Sequence, residues 1–400
     1  MSICYVYQDQ YPWDIRVEKI VQTLADAKMQ VHIVSRNRNG LPVRERICEN
    51  IYVHRLPKGI GKISRTIVNF PAFFSPFWLA AIILTIIKNK SKLIIVRDLP
   101  LGPTAFLAGK LTHVPVLMDM AENYPAMIQD TWRFRGGRPT DYLFRNPFFL
   151  KKLEKWLFPR LDGFFVVSRE SRERVENILK NNKKPIWIVG NTPLLNWSTK
   201  LFSHPLVDQM QKHTGLVLLY TGGLEESRGL ETVIRAMPSV IGHGLDLLLV
   251  IVGEGSSKSK LKSLSKYLNV ENQVLFPGRI DHNFIPSVIF ASDICIIPHY
   301  VTEHTDTTIP NKIFDYMLQG KPVIATHSRS LGKIIFSYNC GRIYEDTSHE
   351  KLSQIIIELN DSNLRRRLGE SGSNAVKEHF NWNKDSGILL KAIGSFIRPD

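Results

Sequence analysis

Short apolar runs bounded by turn residues recur along the chain, and each has the length of one strand. In the first half they are Ile3–Tyr7, Val31–Ser35, Leu93–Val96, Val116–Asp119, Gly163–Val167 and Ile186–Val189. Continuous rather than alternating apolar residues are typical of strands that are covered on both faces, as in parallel sheets. Patterns with helical spacing lie between them, for example at Val17–Lys28 and Arg169–Lys180. The first half is therefore predicted to be an α/β unit.

The same rhythm starts again after a stretch rich in Asn, Pro, Ser, His and Thr. The later apolar runs are Val217–Tyr220, Leu247–Val252, Val274–Pro277, Ile294–Ile297 and Pro322–Ala325. We predict an α/β protein with two Rossmann-like domains, 1–191 and 215–383, a linker at 192–214, and a last helix at 384–400 that crosses back onto the first domain. Such a pair is expected to face a cleft at the carboxyl ends of the strands, where these folds bind ligands.

Composition narrows the class of protein. The chain has 400 residues, of which 44% are apolar and 22% charged, which excludes a disordered chain and a single small binding module. Four cysteines lie far apart, without metal-ligand spacing, and favour a reduced, cytoplasmic protein. The first residues lack the pattern of a signal peptide.

One uncharged stretch, Thr66–Ile87, could be taken for a membrane span. Its continuous apolar part, Phe77–Ile87, is shorter than the ~17–25 residues that a spanning helix needs. We therefore predict a buried or interfacial helix here.

The formal net charge of +15 is unevenly distributed. Residues 1–190 hold 30 Lys and Arg against 16 Asp and Glu, whereas residues 191–400 hold 22 against 21. Aromatic and basic residues alternate between positions 132 and 160. The cations are Arg133, Arg135, Arg138, Arg145, Lys151, Lys152, Lys155 and Arg160, and the aromatic residues are Trp132, Phe134, Tyr142, Phe144, Phe148, Phe149, Trp156 and Phe158.

Three interpretations of this basic region are open: a surface for an anionic membrane, ordinary solvated or core packing, and nucleic-acid binding. The α/β pattern, the aromatic segment Phe73–Trp78 and the lack of an RNA-binding signature favour the membrane surface. We expect peripheral attachment to the inner face of the membrane and no nucleic-acid partner.

The segment Ile309–Ala325 carries the richest chemistry. Apolar residues at helical spacing follow Pro310 and Asn311, and Gly320 with Pro322 ends the helix before a strand. Amides at the start of this helix, together with Lys312, are predicted to hold a diphosphate, and Asp315 one turn later is positioned for a ribose diol. An ordinary capped core helix has the same pattern.

Glycines follow three other predicted strands. Gly222 and Gly223 precede Arg228, a bidentate phosphate donor, although a tight turn with a solvated Arg is the alternative. Gly253 and Glu254 end the next strand, and Arg279 follows a third. Together these strand ends predict a nucleotide pocket at the rim of the second sheet.

In this order, these segments resemble the family 4 retaining glycosyltransferases, which have the two-domain GT-B fold. The matching segments are Tyr220–Leu230, Val252–Gly255, Phe276–Gly278, Ala291–Asp293, Pro310–Ala325 and the closing element His379–Trp382. The resemblance implies that the second domain binds a UDP-, GDP- or ADP-sugar and the first an acceptor, with no other cofactor and no essential metal.

The resemblance also implies roles for single residues. Arg228 stands where the family has a phosphate-binding Lys, and Asp315 stands at the second Glu of its Glu-x7-Glu motif. Thr307 replaces the first Glu, as in a subgroup with a Pro-Asn-Lys-[Ile/Leu]-Phe-[Glu/Asp]-Tyr signature. With Arg228 and Lys312 as catalytic cations, the implied donor-binding residues are Gly222, Gly223, Gly253, Glu254, Arg279, Thr307, Thr308, Pro310, Asn311 and Asp315.

Two segments of the first half resemble further motifs of the family. Asp14 and Arg16 match an Asp-x-Arg-Val variant, although Asp14 is equally suited to capping a helix. Asp119 and Glu122 match its Asp-x-His-Glu segment, with Ala121 in place of the His. Because carboxylates buried without partners are costly, we predict catalytic roles for Asp119 and Glu122. Acceptor binding is assigned to Asp14, Arg16 and Arg97, although a salt bridge to Asp98 explains Arg97 equally well.

These features predict a retaining glycosyltransferase that uses a nucleotide-diphosphate sugar. Its expected acceptor is a lipid-linked or polysaccharide precursor at the cytoplasmic face of the membrane. The alternatives are a nucleotide-sugar epimerase of the same fold and a basic nucleic-acid-binding protein without catalysis.

Overall fold

Two predominantly parallel sheets carry the fold. The computed structural model describes residues 1–12, 14–57, 73–136, 145–198 and 201–396. The chain divides into two units. The first comprises Met1–Gln129, Gly137–Asn191 and Asp385–Asp400, and the second comprises Asp130–Gly136 and Thr192–Lys384.

The first unit is built on an eight-stranded sheet with the order β3-β4-β2-β1-β5-β6-β7-β8. Strands β1 to β8 are Ser2–Tyr7, Gln30–Ser35, Arg44–Cys48, Ile51–Arg55, Leu93–Arg97, Val116–Met120, Gly163–Val166 and Ile186–Ile188. Neighbouring strands are parallel except β3 and β4. Every residue of β1, β5 and β6 is buried, which is why their sequences are mostly apolar.

Helices connect these strands, and side chains near their first residues fix where several of them begin. Helices α1 to α6 are Ile15–Asp26, Pro76–Asn89, Gly102–Thr112, Tyr124–Arg135, Pro147–Leu157 and Arg169–Leu179. The Asp14 carboxylate accepts hydrogen bonds from the amides of Arg16 and Val17, so Asp14 is the N-cap of α1. Ser75, Asn146 and Ser168 cap α2, α5 and α6 in the same way.

The second unit contains a six-stranded parallel sheet with the order β11-β10-β9-β12-β13-β14. Strands β9 to β14 are Leu216–Thr221, Leu247–Val252, Val274–Gly278, Ile294–Ile297, Val323–Thr326 and Gly341–Tyr344. Helices α7 to α16 are Pro205–Lys212, Leu230–Gly242, Lys258–Tyr267, Ile285–Phe290, Glu303–Thr307, Lys312–Leu318, Arg329–Tyr338, His349–Glu358, Ser362–Glu378 and Trp382–Gly394.

Successive residues of the central strands of this second sheet enter two different cores. In β9, Val217 and Leu219 pack with Ile313 of α12 on one face, whereas Leu218 and Tyr220 pack on the other face. The other face is covered by α8 and α14, whose side chains include Val233 and Leu352 respectively. Because side chains alternate across a strand, both faces need apolar residues, and the sequence of β9 is apolar without interruption.

The uncharged stretch of the first half forms α2, as far as the structure describes it. Residues 58–72, which include the beginning of that stretch, lie outside the described residues. Helix α2 has 14 residues and is therefore about 21 Å long, short of the ~30 Å hydrocarbon layer. Across the described parts of the chain, we find no helix that is both long and apolar enough to span a membrane.

The pattern missed three strands. β3 has the sequence Arg-Glu-Arg-Ile-Cys and is mostly exposed at the edge of its sheet, so it needs no apolar face. β4 alternates buried and half-buried residues instead of forming a continuous apolar run. β14 is a four-residue edge strand.

The expected linker at 192–214 contains ordered structure that belongs to the second unit. Helix α7 lies within it, and Leu206, Val207 and Met210 enter one core of the second sheet. At the other end of the chain, α16 continues into residues that belong to the first unit from Asp385 onwards, and the ring of Phe396 packs against Trp187 at 5.8 Å.

Candidate functional site

The loops after β9, β10 and β11 meet at the carboxyl edge of the second sheet. The Gly222 amide donates to the Val252 carbonyl at 2.9 Å, and the Gly253 amide donates to the Gly278 carbonyl at 2.8 Å. A Cβ on Gly253 would lie 1.9 Å from the carbonyl oxygen of Gly222, and Gly253 has φ +146°. These glycines are thus needed for the loops to approach one another.

Helix α12 is fixed to the end of β9 by one tyrosine. The Thr221 amide donates to Tyr316 Oη at 2.9 Å, and the two hydroxyl groups are 3.0 Å apart. This attachment places Lys312 Nζ 4.1 Å from the ring centroid of Tyr220. Lys312 also lies against Gly222, where an added Cβ would be 2.6 Å from Nζ. The strand end and the start of α12 therefore form one cationic corner.

Arg228 reaches the same corner from a short 3-10 turn, Glu226–Arg228, which is held against the end of β12. The Tyr300 amide donates to the Ser227 carbonyl at 3.1 Å. Gly229 has φ +64°, and a Cβ there would lie 2.0 Å from the Pro298 carbonyl oxygen. Arg228 Nη1 lies 3.3 Å from Nδ1 of the buried His299. Arginine can only donate, so His299 Nδ1 is the acceptor and the ring is neutral.

The electrostatics of this cluster favour an anionic ligand. Burial and the neighbouring Arg228 hold the pKa of Lys312 well below its ordinary value. Burial and the charges of Lys312 and Arg228 likewise hold the pKa of His299 well below 6.5. Within the described residues, Arg228 Nε and His299 Nε2 are buried without a hydrogen-bond partner. We call Arg228, His299 and Lys312 the cation cluster. Its donors suit a polyanion such as a diphosphate.

The start of α12 offers fewer free backbone amides to a ligand than the sequence predicts. The amides of Ile313 and Phe314 donate to the carbonyls of Pro310 and Asn311 at 3.1 and 3.0 Å. Two of the amides expected to hold a diphosphate are thus already bonded within the turn. Asp315 is partly buried one turn into α12.

Several predicted donor-site residues have other partners. The hydroxyls of Thr307 and Thr308 donate to the carbonyl of His304, at 3.1 and 2.9 Å, and thereby stabilise the end of α11. Glu254 pairs with Lys258 at 2.5 Å. Arg279 is exposed just beyond β11.

In the first unit, a buried ion network lies at the carboxyl ends of β1, β5 and β6. Arg16 Nη2 lies 2.6 Å from Asp119 Oδ1, and its Nη1 donates to the Val189 and Gly190 carbonyls at 2.8 and 3.0 Å. Tyr5 Oη donates to Asp119 Oδ2 at 2.8 Å. Burial alone would raise the pKa of Asp119, but Arg16 and Arg97 hold it below its ordinary value.

Arg97 connects this network to the start of α1. Its guanidinium contacts Asp119 at 3.3 Å, Asp14 at 3.2 Å and Asp98 at 3.5 Å. Asp98 has φ +56° and accepts the Ala121 amide at 3.0 Å. Burial raises the pKa of Asp98 to about 6, against the opposing effect of Arg97.

These contacts change the roles predicted for the first unit. The side chains of Arg16 and Asp119 are completely inaccessible and bonded to each other, so neither can touch a substrate in this conformation. Their contacts assign them to positioning the strand ends, where the sequence predicted acceptor binding and catalysis. Asp14 caps α1 and is partly exposed, Arg97 is nearly buried, and Glu122 is partly exposed after β6.

Sequence reasoning missed two residues of these clusters. His299 follows β12 directly, but an isolated His carries no spacing signal. The sequence indicates Asp98 only as a salt-bridge partner of Arg97. No three potential ligands among His, Cys, Asp and Glu come together to hold a metal ion in the part of the chain that the structure describes.

Lys312→Met should stabilise the ligand-free protein. The substitution removes a partly buried cation that Arg228 opposes and keeps a side chain of similar length against Tyr220. We expect the melting temperature of the second unit to rise by about 2–4 °C, as a gain of ~1 kcal/mol gives in a domain of this size, measured by calorimetry. Lys266→Met, at an exposed position of α9, is the control and should leave it unchanged. A fall with Lys312→Met contradicts the prediction.

Asp98→Asn should change the pH dependence of stability. The pKa of Asp98 is raised in the folded state, so its contribution to the free energy of unfolding is complete below about pH 4 and is lost as the pH rises through about 6. Asn removes this titration and tolerates the positive φ. The melting temperature of the variant minus that of the wild type should therefore increase from pH 4.5 to pH 7. A constant difference across this range would show that Asp98 does not titrate in this window.

Two family models match the chain, one in each half. Residues 14–192 match the glycosyl transferase 4-like domain, and residues 208–375 match the glycosyl transferases group 1 model. Together the two matches include strands β2 to β14.

Individual related proteins resemble this chain over part of their length. An uncharacterized glycosyltransferase of Methanocaldococcus jannaschii is 26% identical over 243 residues, 59% of each chain. A GDP-mannose-dependent monoacylated alpha-(1-6)-phosphatidylinositol monomannoside mannosyltransferase of Corynebacterium glutamicum is 29% identical over 170 residues, 42% of this chain and 44% of its own. The chain therefore covers less than two thirds of the length of these relatives.

Solved structures share the whole fold. The Anabaena protein HepE in complex with UDP has a TM-score of 0.73 and 13% identity, covering 99% of this chain and 100% of its own. Both sheets found here are thus part of a fold already seen in GT-B proteins. The first half of the chain thus matches the glycosyl transferase 4-like domain, the second half matches the glycosyl transferases group 1, and the fold is the GT-B fold.

Proposed function

We propose that this protein is a retaining glycosyltransferase that uses a nucleoside-diphosphate sugar as donor. The observation that carries the proposal is the cation cluster, in which Arg228, His299 and Lys312 lie together and in which Arg228 Nε and His299 Nε2 are buried without a hydrogen-bond partner among the described residues. The UDP bound to the structurally similar HepE supports a nucleotide donor. We also assign the chain to the subgroup with the signature at Pro310–Tyr316.

In the proposed reaction, the bond between the anomeric carbon and the diphosphate oxygen breaks, and the acceptor hydroxyl oxygen bonds to the same carbon on the same face. The electron pair of the broken bond remains on the diphosphate, and the acceptor proton moves to the leaving phosphate oxygen. Arg228 and Lys312 neutralise the charge that develops there. They supply the positive charge that a metal ion supplies in other diphosphate sites, so we propose that no metal is essential.

The remaining contacts suggest how the donor is oriented. His299 accepts a hydrogen bond from Arg228 and thereby fixes the guanidinium, so we treat His299 as a positioning residue. Asp315, one turn beyond Lys312, is proposed to accept hydrogen bonds from the ribose hydroxyls. The glycines Gly222 and Gly253 bring the loops close enough for these side chains to converge.

We propose a lipid-linked or polysaccharide-precursor acceptor at the cytoplasmic face of the membrane. The relative from Corynebacterium glutamicum is named for a phosphatidylinositol monomannoside substrate, which supports a lipid-linked acceptor. Asp14, Arg97 and Glu122 lie at the carboxyl edge of the first sheet and are the proposed acceptor contacts.

A nucleotide-sugar epimerase would use the same donor pocket. It differs in changing the donor sugar without an acceptor, and it needs an acid and a base near that sugar. Thr307 and Thr308 at this position are bonded to α11, and neither hydroxyl is an acid or base near neutral pH. Transfer is therefore the better supported reaction.

Arg228→Ala and Lys312→Ala should each weaken donor binding and turnover. A nucleoside diphosphate from a panel of UDP, GDP and ADP should raise the melting temperature of the wild type, because it binds only the folded state. Losing one charged hydrogen bond costs ~1.5–3 kcal/mol, so we expect the dissociation constant to rise about 10- to 100-fold in each variant, measured by calorimetry. Hydrolysis of the matching nucleotide sugar should fall similarly.

Lys266→Ala serves as the control and should bind like the wild type. Unchanged binding and hydrolysis in both Arg228→Ala and Lys312→Ala would reject the assignment. Conversion of the donor sugar in the absence of any acceptor would favour the epimerase. Salt-sensitive binding of nucleic acid without any response to nucleotides would favour the noncatalytic alternative.

His299→Leu and His299→Asn should behave differently. Asn can place an acceptor near the position of Nδ1, whereas Leu leaves Arg228 without this partner. We expect about tenfold weaker nucleoside-diphosphate binding and a higher KM with Leu, and near wild-type values with Asn. If Leu and Asn weaken binding equally while both proteins stay folded, His299 does not position Arg228.

A further inference from the structure

Aromatic side chains join three consecutive parts of the first unit at its surface. The ring of Trp156 on α5 packs edge-on against Phe74, just before α2, and against Phe106 on α3, with centroid distances of 6.0 and 5.8 Å. Phe73 packs against Phe149 of α5 at 5.9 Å. Helices α2, α3 and α5 therefore contribute to one continuous surface.

Helix α2 exposes an apolar stripe on this surface. Trp78, Ile82 and Ile86 are buried on one side of the helix. Leu84 and Ile87 are 66% and 64% exposed on the other side. A helix that covers a core normally turns charged or polar residues outward, so a helix that is apolar on both sides indicates a second apolar or interfacial environment.

The same pattern continues on α5. Phe148 is 67% exposed at the first turn, and Phe149 and Trp156 are also exposed. The rings carry cations over their faces: Lys152 lies 4.5 Å from the centroid of Phe148, and Arg160 lies 4.8 Å from that of Trp156. This surface thus combines exposed rings with positive charge.

All exposed charges on these helices are positive. Along α2, α3 and α5 the sole acidic residue is Glu154, which is buried and paired with Arg174. By contrast, α1 of the same unit ends in the exposed Asp26, and α6 contains the exposed Glu176. We call this surface the aromatic-basic face. It consists of Phe74, Phe77, Leu84, Ile87, Lys88, Lys90, Lys110, Phe148, Phe149, Lys152, Lys155, Trp156 and Arg160.

We infer that the aromatic-basic face docks onto a lipid bilayer containing anionic lipids, with α2 lying along the surface. The apolar stripe would enter the boundary between headgroups and acyl chains, and each Lys or Arg near an anionic surface adds electrostatic attraction. The inference rests on the proposed function in one respect, since a lipid-linked acceptor brings the enzyme to a bilayer, but the docking itself needs no catalysis.

The geometry favours a bilayer over nucleic acid. Bases stack on open aromatic faces, whereas Phe148 and Trp156 have cations over their rings and Trp156 meets its neighbours edge-on. The exposed aliphatic residues Leu84 and Ile87 offer nothing to a base but fit hydrocarbon. Of the aromatic and basic residues noted in the sequence, Phe158 is fully buried, and Arg138, Tyr142 and Phe144 lie outside the described residues.

Flotation with vesicles tests the inference on the full chain. We expect the wild type to float with phosphatidylcholine vesicles containing about 30% phosphatidylglycerol and at least tenfold less with phosphatidylcholine alone. Lys152→Glu with Lys155→Glu should reduce binding to anionic vesicles at least tenfold, because two attractive charges become repulsive. Lys180→Glu with Lys183→Glu makes the same change in net charge elsewhere in the first unit and should bind within twofold of the wild type.

Leu84→Ser with Phe148→Ser tests the apolar part. Both side chains are highly exposed, so the double variant should fold, and it should lose the binding that persists at high salt. Equal losses in the Lys152/Lys155 and Lys180/Lys183 variants would overturn the inference in favour of nonspecific charge attraction. No flotation of the wild type, or tight binding of an oligonucleotide that only the Lys152/Lys155 variant loses, would also overturn it.

The melting-temperature response to nucleoside diphosphates separates this inference from the proposed function. Retained nucleotide binding without vesicle binding rejects the docking surface alone. Vesicle binding that depends on the aromatic-basic face, without any nucleotide response, supports the docking surface and rejects the proposed donor.

Discussion

The second unit is organised around the close approach of two positive side chains, Lys312 and Arg228, to the buried His299. Burial and Arg228 lower the pKa of Lys312, and His299 stays neutral beside the two cations. Such an arrangement persists only when the surrounding structure fixes it, because mutual repulsion favours moving the side chains apart. The fixing contacts are visible: Tyr316 ties α12 to β9, and Gly229 allows the turn carrying Arg228 to lie against β12. A bound polyanion would remove the repulsion without requiring new backbone geometry, which is the basis of a preorganised site.

The first sheet also has charged side chains at its carboxyl edge, but there cations and carboxylates pair with each other. Arg16 is bonded on every side, to Asp119 and to two carbonyls, and Asp119 also receives Tyr5 and Arg97. The pair of Arg16 and Asp119 is a scaffold, since breaking it leaves an uncompensated buried charge and neither side chain is open to a ligand. What it orients is the partly exposed rim, where Asp14 and Glu122 lie. The presence of a carboxylate at a strand end therefore does not show whether it is structural or binds a ligand. Its bonding partners show this.

The sequence predicted the sheets well because buried strands need apolar residues on both faces, and it failed where that need disappears. β3 and β14 lie at sheet edges, and α7 was hidden in a segment rich in polar and turn residues. The site was predictable in part. Arg228 and Lys312 could be located from the glycine loop and the Pro-Asn-Lys segment, whereas His299 could not, because its role depends on β12 ending beside the turn that carries Arg228. Partners distant in sequence likewise decide that Arg16 and Asp119 are buried.

The pairing of carboxylates with arginines shows where part of the excess positive charge of the first half lies. In the first unit, carboxylates are largely engaged with particular arginines: Asp119 with Arg16, Glu154 with Arg174, and Glu45 with Arg55. The cations of α2, α3 and α5 have no exposed acids on the same helices to oppose them, so part of the excess charge of the chain lies beside the exposed rings. The proposed donor site needs few cations because they are held close together in a partly buried site, where each acts at low dielectric. A membrane surface is reached through water and salt, and only many cations acting together attract it. The same net charge thus reflects two different physical demands.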